Sequence, residues 1–361
     1  MTWIELPIQE IMAHGERVLT TIGAEPDVAT RVMTRLVESE RDGHPSHGLL
    51  RLPEYVQAAR AGEAVPSHRP TATVITPNVF VVSGQRAFGC LAADLVAETL
   101  LEGLRTHPMV AVGLRDSHHI GRLASIGRAV ADEGGLVLGF CNYLGAGQKV
   151  ARFGGGEGCL ATNPLLFACP RPDGAALVVD MTTSAVSEGT VRAAMLRGQM
   201  VSPDWLVDEL GAPVTDPARL YGPQPSAWLA PLGGRTLGYK GTALALMVEV
   251  LAAVLTGAGA VGPSPGLGGN GGLFIGLRPD LFGIDQSAFI HQVEAMLSHV
   301  QSPGSAIGDE RAARLPGARP RGAERAPEPN DRLQLPRSLW DQILALPTAP
   351  ETGAGHRGSR S

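Results

Sequence analysis

"GLGGNG", residues 266–271, satisfies the G-x-G-x-x-G pattern of a dinucleotide-binding turn. Whether it is such a turn separates a Rossmann unit from other α/β architectures. In a Rossmann unit a strand runs into the first glycine and a helix starts at the last, so that free N–H groups meet the pyrophosphate. Here the approach is "TGAGAVGPSP" (256–265), too rich in Gly and Pro for a core strand. On the other side, "GGLFIGLRPD" (271–280) is a short apolar run of strand character. Both flanks contradict the pattern, and among 46 glycines such spacing arises readily by chance. The stretch reads as a Gly-rich loop before a strand.

Outward from this loop, the periodicity separates helices from strands. "PIQEIMAHGERVLTTIG" (7–23) and "PDVATRVMTRLVESERDG" (26–43) carry apolar residues at three- and four-residue spacing, with Pro26 suited to a first helical turn. From residue 72 onward the period changes. "TATVIT", "VFVVSG", "PMVAVGL", "LVLGFC", "LLFACP" and "ALVVDM" read as strands between 71 and 181, with helices at 90–105 and 122–133 between them. This alternation predicts an α/β sheet with helices packed on it. Further helices are expected at 184–199, 240–256, 286–301 and in "RSLWDQILAL" (337–346), with irregular chain at 211–234 and a surface loop at 302–330. The last 15 residues, 347–361, offer too little apolar surface to offset ordering and are expected to be a disordered tail. The expected organisation is an N-terminal helical segment (1–65), an α/β core (66–285), a C-terminal helical segment with its loop (286–346) and the tail.

Composition narrows the function classes. With 361 residues, 44% hydrophobic and 18% charged, the chain can bury a large core. A formal net charge of −5 gives no basic footprint for nucleic acid. Cys90, Cys141, Cys159 and Cys169 lack CxxC spacing and read as reduced residues of a cytoplasmic protein. No basic segment followed by an apolar run opens the chain, so no signal peptide is expected. "TALALMVEVLAAVLTGAGAVG" (242–262) imitates a membrane span, but its helical part stops short of the ~20 residues a bilayer requires. It is expected to be a helix buried in the core, and no membrane partner is expected.

Four stretches could carry chemistry. In "RDGHPSHGLLRLPEY" (41–55), Ser46, His47 and Arg51 stand out. An imidazole, with an unperturbed pKa of about 6.5, suits proton transfer at neutral pH, and a guanidinium fork suits a carboxylate. His47 and Arg51 would share a face on a helix; alternatively Pro53 starts the helix and 46–52 is an irregular turn. The plain alternative is a Ser46 cap and two solvated side chains. "RDSHHIGRLASIGRAV" (115–130) places Asp116, Ser117, His118 and His119 between a strand and a helix, where sheet proteins commonly bind ligands. Adjacent histidines cannot both reach one metal from a helix, so no metal site is expected. In "LVVDMTTSAVSEG" (177–189), Asp180 ends a strand, and Thr182, Thr183 and Ser184 precede a helix; they can hold a phosphate or ribose, or cap the helix. Lys240 in "LGYKGTALAL" sits at a helix start, where a cation makes sense facing an anion.

Taken in order, "SHGLLRLPEY", "DSHHIGR", "FGGGEGCLATNP", "VVDMTTS", "LGYKG" and "LTGA" resemble the malate/L-lactate dehydrogenase family of NAD(P)-dependent oxidoreductases over about residues 30–320. That group includes ureidoglycolate and sulfolactate dehydrogenases, diketogulonate reductase and cyclic-imine (piperideine/pyrroline-2-carboxylate) reductases. The resemblance implies an atypical, non-Rossmann mixed-sheet core that binds NAD or NADP, a helical domain formed by the N- and C-terminal segments, and a homodimer. It implies hydride transfer between nicotinamide and a small 2-hydroxy/2-oxo acid; the alternatives are a cyclic-imine reductase and a catalytically silent cofactor-binding homologue. Carried over by position, His47 exchanges the proton, with Ser46 and Asp180 as relay partners and His119 in the same pocket. Arg51, with Thr162 and Asn163 of "ATNP", would bind the substrate. Cofactor contacts would come from His118, His119, Ile120, Gly121 and Arg122, from Asn142 and Tyr143, and from Asp180, Met181, Thr182, Thr183 and Ser184. Tyr239, Lys240, Pro316 and Gly317 would complete them. Two departures from the family pattern stand out: Ala318 occupies the position of a frequent Glu, and Ala161 replaces a Gly.

Overall fold

The computed structural model describes residues 2–145, 148–172, 176–262, 268–301, 315–317 and 331–348. The chain opens with strand β1 (Trp3–Pro7), helices α1 (Ile8–Thr21) and α2 (Pro26–Arg41), two 3₁₀ turns (Pro45–His47, Leu49–Arg51) and α3 (Leu52–Arg60). The hairpin β2 (Thr71–Thr76) and β3 (Val79–Ser83) comes next, then α4 (Gly89–Leu104), β4 (Met109–Ser117), α5 (Ala124–Asp132) and β5 (Leu136–Leu144). Short strands β6 (Val150–Ala151) and β7 (Gly158–Leu160) precede β8 (Leu165–Pro170), β9 (Ala176–Met181) and α6 (Glu188–Leu196). After them lie β10 (Leu206–Val207), β11 (Pro213–Val214), β12 (Trp228–Leu229), α7 (Gly234–Leu237) and α8 (Tyr239–Val248), which runs into a π-helical turn, Glu249–Val254. β13 (Gly269–Leu277), α9 (Gln286–Val300), β14 (Arg332–Pro336) and α10 (Arg337–Leu344) complete the described chain.

The main sheet has seven strands in the order β2-β3-β4-β13-β5-β8-β9. Only β3 and β4 pair in parallel; the other neighbours are antiparallel, so this is a mixed sheet. The strand after the Gly-rich stretch, of which 263–267 lie outside the described residues, is its centre. β13 lies between β4 and β5, with Leu273 opposite both Gly113 and Phe140. Gly269, Asn270 and Gly271 of the opening pattern are already strand residues, and no helix succeeds them. α4 and α5 cover one face with Val96, Leu100, Ile126 and Val130 against Val112, Val137 and Phe274, all buried. Each such side chain contributes about 1.5–3 kcal/mol by leaving water.

A second core joins the two ends of the chain. β1 and β14 pair antiparallel, Trp3 opposite Pro336, and α1, α2 and α3 pack with Leu335, Leu339, Trp340 and Ile343. α9 does not join it; Leu297 packs with Cys169 and Leu177 on β8 and β9. The stretch at 211–234, expected to be irregular, contributes two short strands to a five-stranded sheet, β11-β10-β12-β6-β7. Two-residue strands are too brief for alternation to register.

The helix at 240–256 departs from its expected burial. Leu246, Val250, Val254 and Leu255 are 53%, 57%, 63% and 66% exposed, while Ala245, Val248, Glu249 and Ala252 face inward. Apolar character all round does not by itself bury a helix when only one side meets the core. No described helix is long and apolar enough to cross a membrane. The surface loop expected at 302–330 lies outside the described residues except for 315–317. Ala318 and all but the first two residues of the expected tail are also outside them.

Candidate active site

The turn bearing Ser46, His47 and Arg51 is not a helix. Pro53 sits in the first turn of α3, and the preceding residues form the two 3₁₀ turns. His47 and Arg51 therefore do not share a helix face; the turn folds back instead. Arg51 Nε donates to the Ser46 carbonyl at 2.7 Å, and Ser46 Oγ lies 3.0 Å from His47 Nδ1. Glu40 of α2 supports the turn from beneath by accepting Leu49 N–H at 2.8 Å. α6 presses on it from the other side: a Cβ at Gly189 would fall 1.9 Å from Ser46 Cβ, so only glycine permits this approach.

The β4–α5 connection meets the same turn. His119 stacks on His47, ring centroids 5.5 Å apart at 19°, and its Nδ1 lies 3.0 Å from the Tyr55 hydroxyl. His118 packs edge-on against Tyr55, and its buried Nδ1 has no hydrogen-bond partner. α4 fits under this connection because residue 89 is glycine; a Cβ there would meet the His118 and His119 carbonyls at 2.3 Å. Asn270 of β13 ties the connection to the sheet by accepting Ile120 N–H at 2.9 Å.

These groups open into one cavity of about 1030 Å³. Its wall includes Ser46, His47, Arg51, Thr162, Asn163, His118, His119, Gly121, Arg122, Asn142, Tyr143, Asp180, Met181, Thr182 and Gly317. The expected residues from six separate stretches thus converge. Others do not reach it. Thr183 is buried, bonded through its hydroxyl to the Thr162 carbonyl, and Ser184 Oγ donates to the Val186 carbonyl. These bonds delay the helix expected from 184, so α6 begins after the Ser187 cap. Ile120 points into the core, and Pro316 lies beside β9, its carbonyl accepting Val178 N–H. Tyr239 and Lys240 are exposed away from the cavity, Tyr239 edge-on to Phe153. Asp180 lines the cavity but makes no hydrogen bond to Ser46 or His47; its carboxylate accepts Ala124 N–H at 2.8 Å, capping α5.

Sequence reasoning did not single out Tyr55, Asp42, Glu54, Lys149, Glu188 or Arg192, all on the cavity wall. Glu54 and Tyr55 close the quoted stretch "SHGLLRLPEY", a signal in plain view; Lys149, Glu188 and Arg192 meet them only in three dimensions. Arg122 and Arg128 both contact Asp42 Oδ2, at 2.7 and 2.6 Å. Arg51 donates to Glu54 at 2.6 Å and lies 3.9 Å from Glu188, which accepts from Lys149 at 2.9 Å; Arg192 pairs with Glu54.

Burial sets the protonation states. His47 is pushed down to about 3 by desolvation, then by Arg51 and Arg122, although one edge of the ring faces the cavity. His119 is held well below the ordinary histidine value, first by burial and then by Arg51, and His118 is lowered to about 4. All three are neutral at pH 7. Burial raises Asp180 and pushes Glu40 up to about 7. Because Glu40 binds its proton more tightly folded than unfolded, it stabilises the fold below its ordinary value of 4.5, and that contribution is lost as pH rises through about 7. A Glu40→Gln variant keeps an acceptor for Leu49 N–H without the charge. Its urea midpoint should gain on that of the unmodified protein between pH 5 and pH 8, and a constant difference would refute the assignment.

The cavity fits a dinucleotide together with a small acid. It holds two buried polar atoms without partners, His118 Nδ1 and Asn163 Oδ1, and two guanidiniums sharing one carboxylate oxygen. Arg128 also reaches the Gly317 carbonyl at 3.3 Å, beside the expected cofactor segment.

Comparisons with known proteins agree. A family model described as malate/L-lactate dehydrogenase matches residues 6–344. An L-lactate dehydrogenase of Cupriavidus necator is 35% identical over 337 residues, covering 90% of this chain and 93% of the relative. A Delta(1)-pyrroline-2-carboxylate reductase of Burkholderia multivorans is 31% identical, covering 95% and 97%. The structure of a dehydrogenase from Sinorhizobium meliloti superposes with a TM-score of 0.78 at 27% identity, covering 96% of this chain and 98% of that one. With its mixed sheet, its converging histidine turn and this match over nearly its whole length, the chain belongs to the malate/L-lactate dehydrogenase family of NAD(P)-dependent oxidoreductases, which act on hydroxy acids or on cyclic imines.

Proposed function

We propose that the protein interconverts a small 2-hydroxy acid and its 2-oxo acid with NAD or NADP. The observation that carries this reading is the neutral His47, held by Ser46 through Nδ1 and stacked on His119 beside Arg51. With Nδ1 engaged, Nε2 is the nitrogen left for substrate. Nicotinamide, when bound, supplies or receives the hydride. His47 holds or releases the proton at the substrate oxygen, and Ser46 fixes the ring's orientation. Arg51 anchors the substrate carboxylate through its remaining donors. Thr162 and Asn163 line the same cavity, and Tyr55 orients His119. His118, Gly121, Arg122, Asn142, Tyr143, Asp180, Met181, Thr182 and Gly317 are the wall residues proposed to receive the dinucleotide.

The test monitors reduced-nicotinamide absorbance with NADH and NADPH separately, against 2-oxo acids and against piperideine- and pyrroline-2-carboxylates. Turnover of an oxo acid is expected. Turnover confined to the imines would replace this reading with the reductase named for several relatives. Cofactor binding without any turnover would make the chain a silent homologue.

A homodimer belongs to the same proposal, supported by the exposed apolar side of α8 and its π-helical turn. Val254→Asp combined with Leu255→Glu should convert a dimer to a monomer in light scattering. A dimer unaffected by both charges, or a native monomer, would overturn it.

A further inference from the structure

The reacting end of the cavity carries an unusual balance of charge. Arg51, Arg192 and Lys149 face Glu54 and Glu188, and all five line the wall. Glu188 immediately precedes Gly189, which packs against Ser46, and its carboxylate lies 3.9 Å from Arg51. Lys149 also lies over the Tyr221 ring, 4.7 Å from its centroid, and Lys149 and Arg51 hold the Glu188 carboxyl below its usual value against its burial. His47, His118 and His119 add no charge at neutral pH. With Glu63 of the same wall, three cations face three carboxylates, which leaves no surplus positive charge. The remaining cations of the wall, Arg122 and Arg128, are committed with Asp42 at the α5 end.

We propose that this ion-paired wall makes the enzyme selective for substrates with a single carboxylate, Glu54 and Glu188 being the residues that reject a second anionic group. The inference rests on the proposed oxidoreductase function and names the substrate class of that same site. One carboxylate takes the remaining donors of Arg51. A second finds no unpaired cation among the described wall residues and meets Glu54 or Glu188 instead. Specificity of this kind comes from a repulsive element, not from an added attraction.

Oxaloacetate and 2-oxo-4-methylpentanoate have nearly the same shape and differ by one charge, so their ratio of kcat/KM isolates it. The unmodified enzyme should favour 2-oxo-4-methylpentanoate by at least tenfold. Glu188→Gln should narrow that ratio about tenfold, chiefly through KM for oxaloacetate, and Glu54→Gln provides a second, independent variant. Equal or better use of oxaloacetate by the unmodified enzyme, or an unchanged ratio in both variants, overturns the selectivity while leaving the oxidoreductase reading standing. Turnover of the imino monocarboxylates with none of oxaloacetate supports it. If no oxo acid and no imine is reduced, the oxidoreductase reading itself fails and this inference with it.

Discussion

His47→Ala should lower kcat for 2-oxo acid reduction roughly a hundredfold to ten-thousandfold, the range that a positioned general acid supplies. Cofactor affinity should be retained, because His47 pairs with Ser46 and His119, not with the Arg122–Asp42–Arg128 group. The pH dependence gives a second readout. His47 is neutral, its pKa near 3 through burial and the facing guanidiniums. It is thus ready to accept a proton from a hydroxy acid. Reduction needs the imidazolium, and a substrate carboxylate on Arg51 raises its proton affinity by neutralising one of the charges that oppose it. The rate of reduction should fall as pH rises, and that of oxidation should fall as pH drops. Stopped-flow measurement in both directions checks the signs. Full activity in the alanine variant would remove His47 as the proton carrier.

Gly271→Ala should destabilise the protein by about 3 kcal/mol, at the upper end of what overpacking ordinarily costs. A Cβ at residue 271 would come 2.5 Å from the Ala252 carbonyl oxygen, 2.5 Å from Ala258 Cβ and 2.7 Å from Asn142 Oδ1. These atoms are the π-helical turn, the chain after it and a buried carboxamide; none is the tip of a flexible side chain. Asn142 is also fixed, since it accepts Gly271 N–H at 3.0 Å and donates to the buried Glu249. The last glycine of "GLGGNG" is thus required by close packing on the central strand. Urea unfolding reads the loss directly. Unchanged stability with lost NAD(P) affinity would instead restore the phosphate-binding interpretation.

Much of the site was legible in the sequence because its chemistry is local. Ser46 and His47 are adjacent, Arg51 is one fold of the turn away, and His118 to Arg122 come after a strand whose apolar run is unmistakable. Lys240 shows the limit of such reading. Its place at a helix start suggested an anion, yet α8 turns that end outward and leaves it exposed away from the cavity. The tight packing of Gly189 on Ser46 was equally hidden, because nothing in "SEGTV" tells which distant backbone will press against it.

Local residue pattern was enough to place most of the long helices and strands, to show that the Gly-rich loop is not a Rossmann turn, and to find the turn that carries the histidine. Periodicity and turn chemistry are properties of a few consecutive residues and need no partner. Three outcomes required the folded chain: β13 enters between β4 and β5, residues 3–7 pair with 332–336, and Arg51 shares its acids with Arg192 and Lys149. Those outcomes depend on which surfaces separated by tens to hundreds of residues bury one another, and no local pattern encodes that choice.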